Sequence, residues 1–144
     1  MMAGEGAGGF SDDGDWVRED SLMRRALIAS RRLDRVVIDH CMDVPGGLVV
    51  HMARGPVSRR YALRGMSARA EVRAVERDLG LCQALGGRLH LAHLSSLASV
   101  DLLATARARG VQVTGEVTPH HLLLDSQVLA GLDPLYKMNP PLGT

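Results

Sequence analysis

The side chains of this chain that could hold a metal ion or move a proton fall at a few well-separated places. Asp12 and Asp13 form an acidic turn after a glycine-rich stretch. His40 follows the β-branched run Val36-Val37-Ile38, and His93 follows Leu89-His90-Leu91-Ala92. His120 and His121 come just after a third apolar stretch. Neutral imidazoles joined by a carboxylate make a donor set suited to zinc. Such ligands need no local motif if the fold brings several strand ends together. A hydrogen-bonded structural role accounts equally for a histidine at a strand end, so residue types alone leave both readings open. Cys41 beside His40 suggests a thiol–imidazole pair, but adjacent strand residues point to opposite faces, which argues against one.

The elements that must position these residues alternate. A helix is predicted over 20–33, with Leu22, Met23, Leu27, Ile28 and Leu33 at helical spacing. Residues 35–41 read as a short strand, of the β-branched kind found in a parallel sheet covered on both faces. A long irregular stretch, 42–66, follows, and loops of that length are usually functional. A second helix is predicted over 67–85, capped by Ser67 and ended by Gly86-Gly87, with Val72, Val75, Leu79, Cys82 and Leu85 on one face. Residues 88–94 form a second strand. Ser95 or Ser96 caps a third helix over 97–109, and a third strand runs over 111–117. The remainder is an irregular tail carrying Pro119 and Pro140-Pro141. Strands alternating with helices imply parallel βαβ units. The histidines then lie at the C-terminal ends of strands, where ligands bind in α/β folds. The rhythm alone does not separate a flavodoxin-like sheet from an arc of a (β/α)8 barrel.

Bulk composition bounds the function. The chain has 144 residues, 46% hydrophobic and 23% charged, which is globular rather than disordered. Seventeen basic against sixteen acidic residues give no electrostatic reason to expect nucleic acid or an anionic membrane as partner. No apolar run approaches a membrane span, and the N-terminus lacks a signal-peptide order. Two cysteines are too few for a disulfide framework, so a cytoplasmic location is expected. Aromatics are only 3%, so the core must be aliphatic. Arg54, Arg59, Arg60 and Arg64 read as surface charges. Asp12 reads as orienting its turn, and Asp43 as holding the loop after His40 by an Asx-type hydrogen bond.

Seven short strings occur in order: Phe10-Ser-Asp-Asp-Gly14, His40-Cys-Met-Asp43, Ala70-Glu-Val72, Arg77-Asp-Leu79, His93-Leu-Ser-Ser96, Glu116-Val-Thr-Pro-His-His-Leu122 and Lys137-Met-Asn-Pro-Pro-Leu142. Together they resemble the class I dihydroorotases, zinc enzymes of the amidohydrolase superfamily. Asp13 and His40 are 27 positions apart, and His40 and His93 are 53 apart, matching the spacing of that family's metal-ligating Asp and two later histidines. The resemblance implies Asp13, His40 and His93 as metal ligands and Asn139 as a substrate contact. It implies two Zn2+ in a complete site, this chain supplying ligands mainly for one, with Asp13 bridging. It implies an α/β fold that is part of a (β/α)8 TIM barrel, residues 1–144 being a central segment of the barrel domain. The implied reaction is the reversible hydrolysis of the cyclic amide of L-dihydroorotate to N-carbamoyl-L-aspartate, in pyrimidine biosynthesis.

The family's His-x-His motif and its last-strand Asp, the catalytic proton shuttle, have no counterpart among these residues, so no catalytic residue is assigned and the chain alone is expected to be inactive. Met42 stands where a Glu is usual, and Gly143 where an Arg is usual. An open barrel arc is expected to self-associate, and an oligomer is compatible with the sequence. Two other functions compete. One is a non-catalytic dihydroorotase-like subunit associated with aspartate carbamoyltransferase, which usually loses the metal ligands. The other is a hydantoinase or allantoinase, which generally bridges its metals with a carboxylated lysine instead of an Asp.

Overall fold

The computed structural model describes residues 2–12, 14–45 and 48–143. In chain order the elements are β1 (Gly9–Ser11), α1 (Asp20–Leu33), β2 (Val36–Asp39), β3 (Met52–Ala53), α2 (Pro56–Arg60), β4 (Gly65–Met66), α3 (Ala68–Leu85), β5 (Arg88–Leu91), α4 (Leu97–Ala108), β6 (Val113–Gly115) and α5 (Pro119–Leu123). Two 3-10 turns, Ser126–Gly131 and Pro134–Tyr136, complete the tail.

The main sheet has the order β1-β2-β5-β6, with every pair parallel. Each strand lies beside the one that precedes it in the sheet's chain order, and a helix separates each pair in sequence. Burial alternates along the strands with period two. Val37, Asp39, Leu89, Leu91 and Val113 are buried, while Val36, Ile38, Arg88, His90 and Thr114 are not. The buried set packs with Met23 and Leu27 of α1 and with Ala74, Val75, Leu79 and Cys82 of α3. The other face lines an open hollow of about 720 Å³ with Val36, Ile38, His90 and Thr114. A doubly wound sheet carries helices on both faces, whereas a barrel carries them outside only. Strand order and one-sided cover together make this an arc of a (β/α)8 barrel. Val36 and Ile38 face the side of the sheet that carries no helix among the described residues.

The boundaries follow local chemistry. Ser67 caps α3 by accepting from the Arg69 N–H at 3.3 Å. The junction from α3 to β5 turns on Gly87, at φ +106°, where a Cβ would stand 2.7 Å from the Leu27 carbonyl oxygen. The inward face of α1 is Met23, Leu27 and Ser30, and the predicted Leu22 and Ile28 are 44% and 37% exposed. Ser30 earns its inward place through hydrogen bonding. Its Oγ donates to the Arg35 carbonyl at 2.5 Å and accepts the Arg88 N–H at 2.8 Å, tying α1 to the starts of β2 and β5.

The stretch read as irregular, 42–66, holds two two-residue strands and the five-residue α2. Elements so short show no periodicity. They are fixed by a separate small core in which Met52 and Val57 pack against Leu129 of the tail. That contact folds the C-terminal segment back across the strand ends. Among the described residues no helix is long and apolar enough to cross a membrane.

Candidate metal centre

His40 lies one residue beyond β2, and His93 two residues beyond its neighbour β5. Because β2 and β5 pair in parallel with Asp39 opposite Leu91, the two imidazoles emerge together at one edge of the sheet. His40 Nδ1 is 3.0 Å from His93 Nε2, with the rings edge-to-face and their centroids 4.5 Å apart. His40 is 3% exposed. Its backbone N–H donates to Asp12 Oδ1 at 3.0 Å, which ties Asp12 to the end of β2. Asn139 reaches the same histidine from the far end of the chain, its Nδ2 3.2 Å from His40 Nε2. Asp13 lies outside the described residues.

The geometry suits a cation. Two nitrogens bound to one tetrahedral zinc at about 2.0–2.1 Å each would stand roughly 3.3–3.4 Å apart, so the observed hydrogen-bonded 3.0 Å need open only slightly to admit the ion. Proton placement sharpens the point. With the Asn139 amide donating to His40 Nε2, the His40 proton lies on Nδ1 and is donated to His93 Nε2. With the amide turned over, Oδ1 accepts from His40 Nε2–H, and His93 Nε2–H donates to His40 Nδ1, so in either arrangement one proton lies between the two rings, where a cation would take its place. Two buried polar atoms beside the pair, Asp12 Oδ2 and His93 Nδ1, have no hydrogen-bond partner among the described residues.

The backbone at His93 is unusual. Its φ is +35°, a left-handed conformation uncommon for a residue with a β-carbon. The flanking amides are pinned: Ala92 N–H donates to the Asp39 carbonyl at 3.0 Å, and Leu94 N–H to the Glu116 carbonyl at 2.8 Å. Ser96 is the N-cap of α4, but its side chain makes no capping bond. Instead Ser95 N–H, Ser95 Oγ–H and Ser96 N–H all donate to the Glu71 carboxylate, at 2.9, 2.5 and 3.0 Å.

Beneath His40 lies a polar cluster that sequence reading did not find. Asp39 and Asp78 are both fully buried, and Cys41 Sγ is 3.3 Å from Asp39 Oδ2 and 3.6 Å from Asp78 Oδ2. Burial, then the neighbouring Asp78 carboxylate, pushes the Asp39 carboxyl up to about 9. Burial raises Asp78 and Cys41 as well. Arg77 answers the remaining charge, its Nη2 2.7 Å from Asp78 Oδ1. The same guanidinium donates to the Val17 carbonyl and lies 4.5 Å from the centre of the Trp16 ring. The three ligand atoms of Asp39, Cys41 and Asp78 are close enough for a metal. Their raised protonation and the Arg77 charge make the cluster a shared-proton network that ties the 16–18 loop to α3. A signal for it exists in the sequence. Glu71 and Asp78 fall at helical spacing with Val75 and Cys82, placing two carboxylates on an apolar face.

Other expected residues resolve plainly. His121 Nδ1 is 2.9 Å from Thr118 Oγ1 and its Nε2 is 3.1 Å from the Pro140 carbonyl, a structural role at the tail. Among the described residues no Asx-type hydrogen bond of Asp43 is found. Its Oδ2 accepts from Arg73 Nε at 2.7 Å, because the first turns of α3 pass beside the loop. Arg54, Arg59, Arg60 and Arg64 are exposed. Met42 packs with Val44, Met66 and Ala70, and Gly143 borders a cavity of about 240 Å³ with Arg54, Ser95 and Ser96.

Comparison with known proteins bears on this arrangement. Residues 2–99 match the family model described as dihydro-orotase-like. The chain is 46% identical over 143 residues to a protein from Pelotomaculum thermopropionicum named dihydroorotase, covering 98% of this chain and 33% of that one. It is 44% identical over 133 residues to the protein of that name from Leifsonia xyli subsp. xyli, covering 92% and 30%. Among solved structures, the L-hydantoinase (dihydropyrimidinase) from Arthrobacter aurescens superposes with a TM-score of 0.79 at 20% identity, covering 99% of this chain and 34% of that one. That likeness concerns the fold alone. The chain spans about a third of the length of the relatives it matches.

Proposed function

The chain belongs to the dihydro-orotase-like family, and we propose that it contributes His40, His93 and Asp13 to the metal site of a zinc-dependent dihydroorotase. The observation that carries this reading is the juxtaposition of His40 Nδ1 and His93 Nε2 at 3.0 Å across two adjacent parallel strands. The reaction adds water across the ring amide of L-dihydroorotate. The carbon–nitrogen bond breaks, the carbonyl carbon gains the hydroxyl, and the nitrogen leaves with a proton as N-carbamoyl-L-aspartate. A bound divalent cation supplies acidification of water and polarisation of the amide carbonyl. His40 and His93 would hold that cation as neutral imidazoles. Asn139, hydrogen-bonded to His40, orients the imidazole and contacts the substrate. The proton shuttle and the remaining ligands come from residues other than these.

The dihydroorotase reading is preferred over hydantoin chemistry because relatives of that name reach 42–46% identity, whereas the hydantoinase likenesses stand at 19–25%. The two buried cysteines, both unpaired, suit a reducing cytoplasm.

The test is metal binding by the purified chain. Cobalt(II) should give visible d–d absorption and a saturable binding isotherm, with zinc competing. His40→Ala and His93→Ala should each weaken binding at least tenfold, or about 1.4 kcal/mol or more. A chain that folds yet binds neither ion, or binds equally well without both imidazoles, overturns the proposal.

A further inference from the structure

Glu71 is a carboxylate on the inward face of α3, 1% exposed. No salt-bridge partner is found for it among the described residues. Its charge is answered by three donors from two consecutive residues, Ser95 and Ser96. Those residues begin two positions after His93, which holds φ +35°. A side chain in that conformation persists where its surroundings over-determine it. On the upstream side the Asp39 carbonyl fixes Ala92, and on the downstream side the Glu116 carbonyl fixes Leu94. Glu71 adds the last constraint, and the only one of the three that comes from a side chain.

α3 also governs the other histidine. The Ala70 carbonyl accepts the Asp43 N–H at 3.3 Å, and Arg73 pairs with the Asp43 side chain. Residues 70, 71 and 73 therefore hold the loops after both His40 and His93. One helical turn thus touches the loops that follow both imidazoles.

We propose that Glu71 is a positioning residue, whose buried carboxylate clamps the Ser95–Ser96 turn and so sets His93 Nε2 against His40 Nδ1. Its role is distinct from capping. A cap on α4 would stabilise the helix without changing the ring-to-ring geometry. The inference concerns the metal-free chain, and only its second readout rests on the metal reading above.

Nuclear Overhauser contacts between the ring protons of His40 and His93 report the geometry directly in the metal-free protein. Glu71→Gln keeps the shape of the side chain, but its amide NH2 confronts N–H donors. That variant should lose the inter-ring contact while retaining a dispersed spectrum and helical circular dichroism. Its cobalt affinity should fall at least tenfold. Ser30→Ala removes a comparable buried hydrogen-bond bridge at the opposite end of the strands. It should lower the melting temperature and leave both the contact and the affinity unchanged. Should Glu71→Gln fail to fold, Ser95→Ala removes only the hydroxyl bond and should weaken the same contact. A folded Glu71→Gln or Ser95→Ala variant with the parental inter-ring contact overturns the proposal. A parent that shows the contact but binds no cobalt overturns the metal reading and leaves the positioning role standing.

Discussion

Asp39 shows how a single buried residue governs the pH response. An unfolded aspartate titrates near 3.8, and in the fold this carboxyl is raised to about 9 by burial and by Asp78. Below about pH 4 both states hold the proton, and the residue is neutral to stability. Between about 4 and 9 the folded chain keeps a proton that the unfolded chain has released. Stability must therefore fall as pH rises through that window. Asp39→Asn removes this titration and keeps an amide that can donate to Asp78. Urea unfolding at pH 5, 7 and 8.5 should show a flatter pH profile for the variant than for the parent. An unchanged slope would mean that the shared proton lies elsewhere. The same scale holds the metal question, since His40 and His93 can take a cation only as neutral imidazoles, and acid should release it.

At the scale of elements, the turns between helices and strands carry backbone costs that differ from one glycine to the next. Gly87 joins α3 to β5 at φ +106°, with a Leu27 backbone oxygen 2.7 Å from where a β-carbon would sit. Gly110, after α4, has φ +84° but open space around it. Gly110→Ala should cost about 1 kcal/mol, the conformational penalty alone. Gly87→Ala must also displace the Leu27 carbonyl of α1 and should cost about 2–3 kcal/mol. Chemical denaturation of the two variants side by side checks the difference. A smaller loss for Gly87→Ala would show that α1 yields freely, against the anchoring of Ser30 to Arg88.

At the scale of the whole chain, the sheet formed by the described residues is an arc with helices packed on one face. Among the described residues β1 and β6 each pair with one strand only. The concave face presents Val36 and Ile38 to a hollow of about 720 Å³. Unpaired strand edges beside apolar surface favour association. The purified chain should show a concentration-dependent rise in mass by sedimentation equilibrium at micromolar concentrations. A monomer across that range would show that the edges are protected in solution.

Much of this was determined by the sequence alone. The alternation of helix and strand followed from Ser67, Gly86-Gly87, Gly110 and the β-branched run at 36–38. The placement of His40 and His93 at strand ends followed from that alternation, since local patterns fix local elements. Pattern could not decide which strands become neighbours, because pairing is a long-range choice. Only the tertiary structure laid β2 beside β5 and so turned two histidines 53 residues apart into a pair 3.0 Å apart. Only it brought Asn139 back to His40 across 99 residues. The one-sided helical cover was likewise invisible, since Val36 and Ile38 look the same in a barrel wall and in a two-sided sheet. Glu71 and Asp78 stood at helical spacing on an apolar face, but that spacing did not say what would meet them. A carboxylate on an apolar helix face is costly unless donors meet it, and those donors, Ser95, Ser96 and Arg77, assemble around them only in the folded chain.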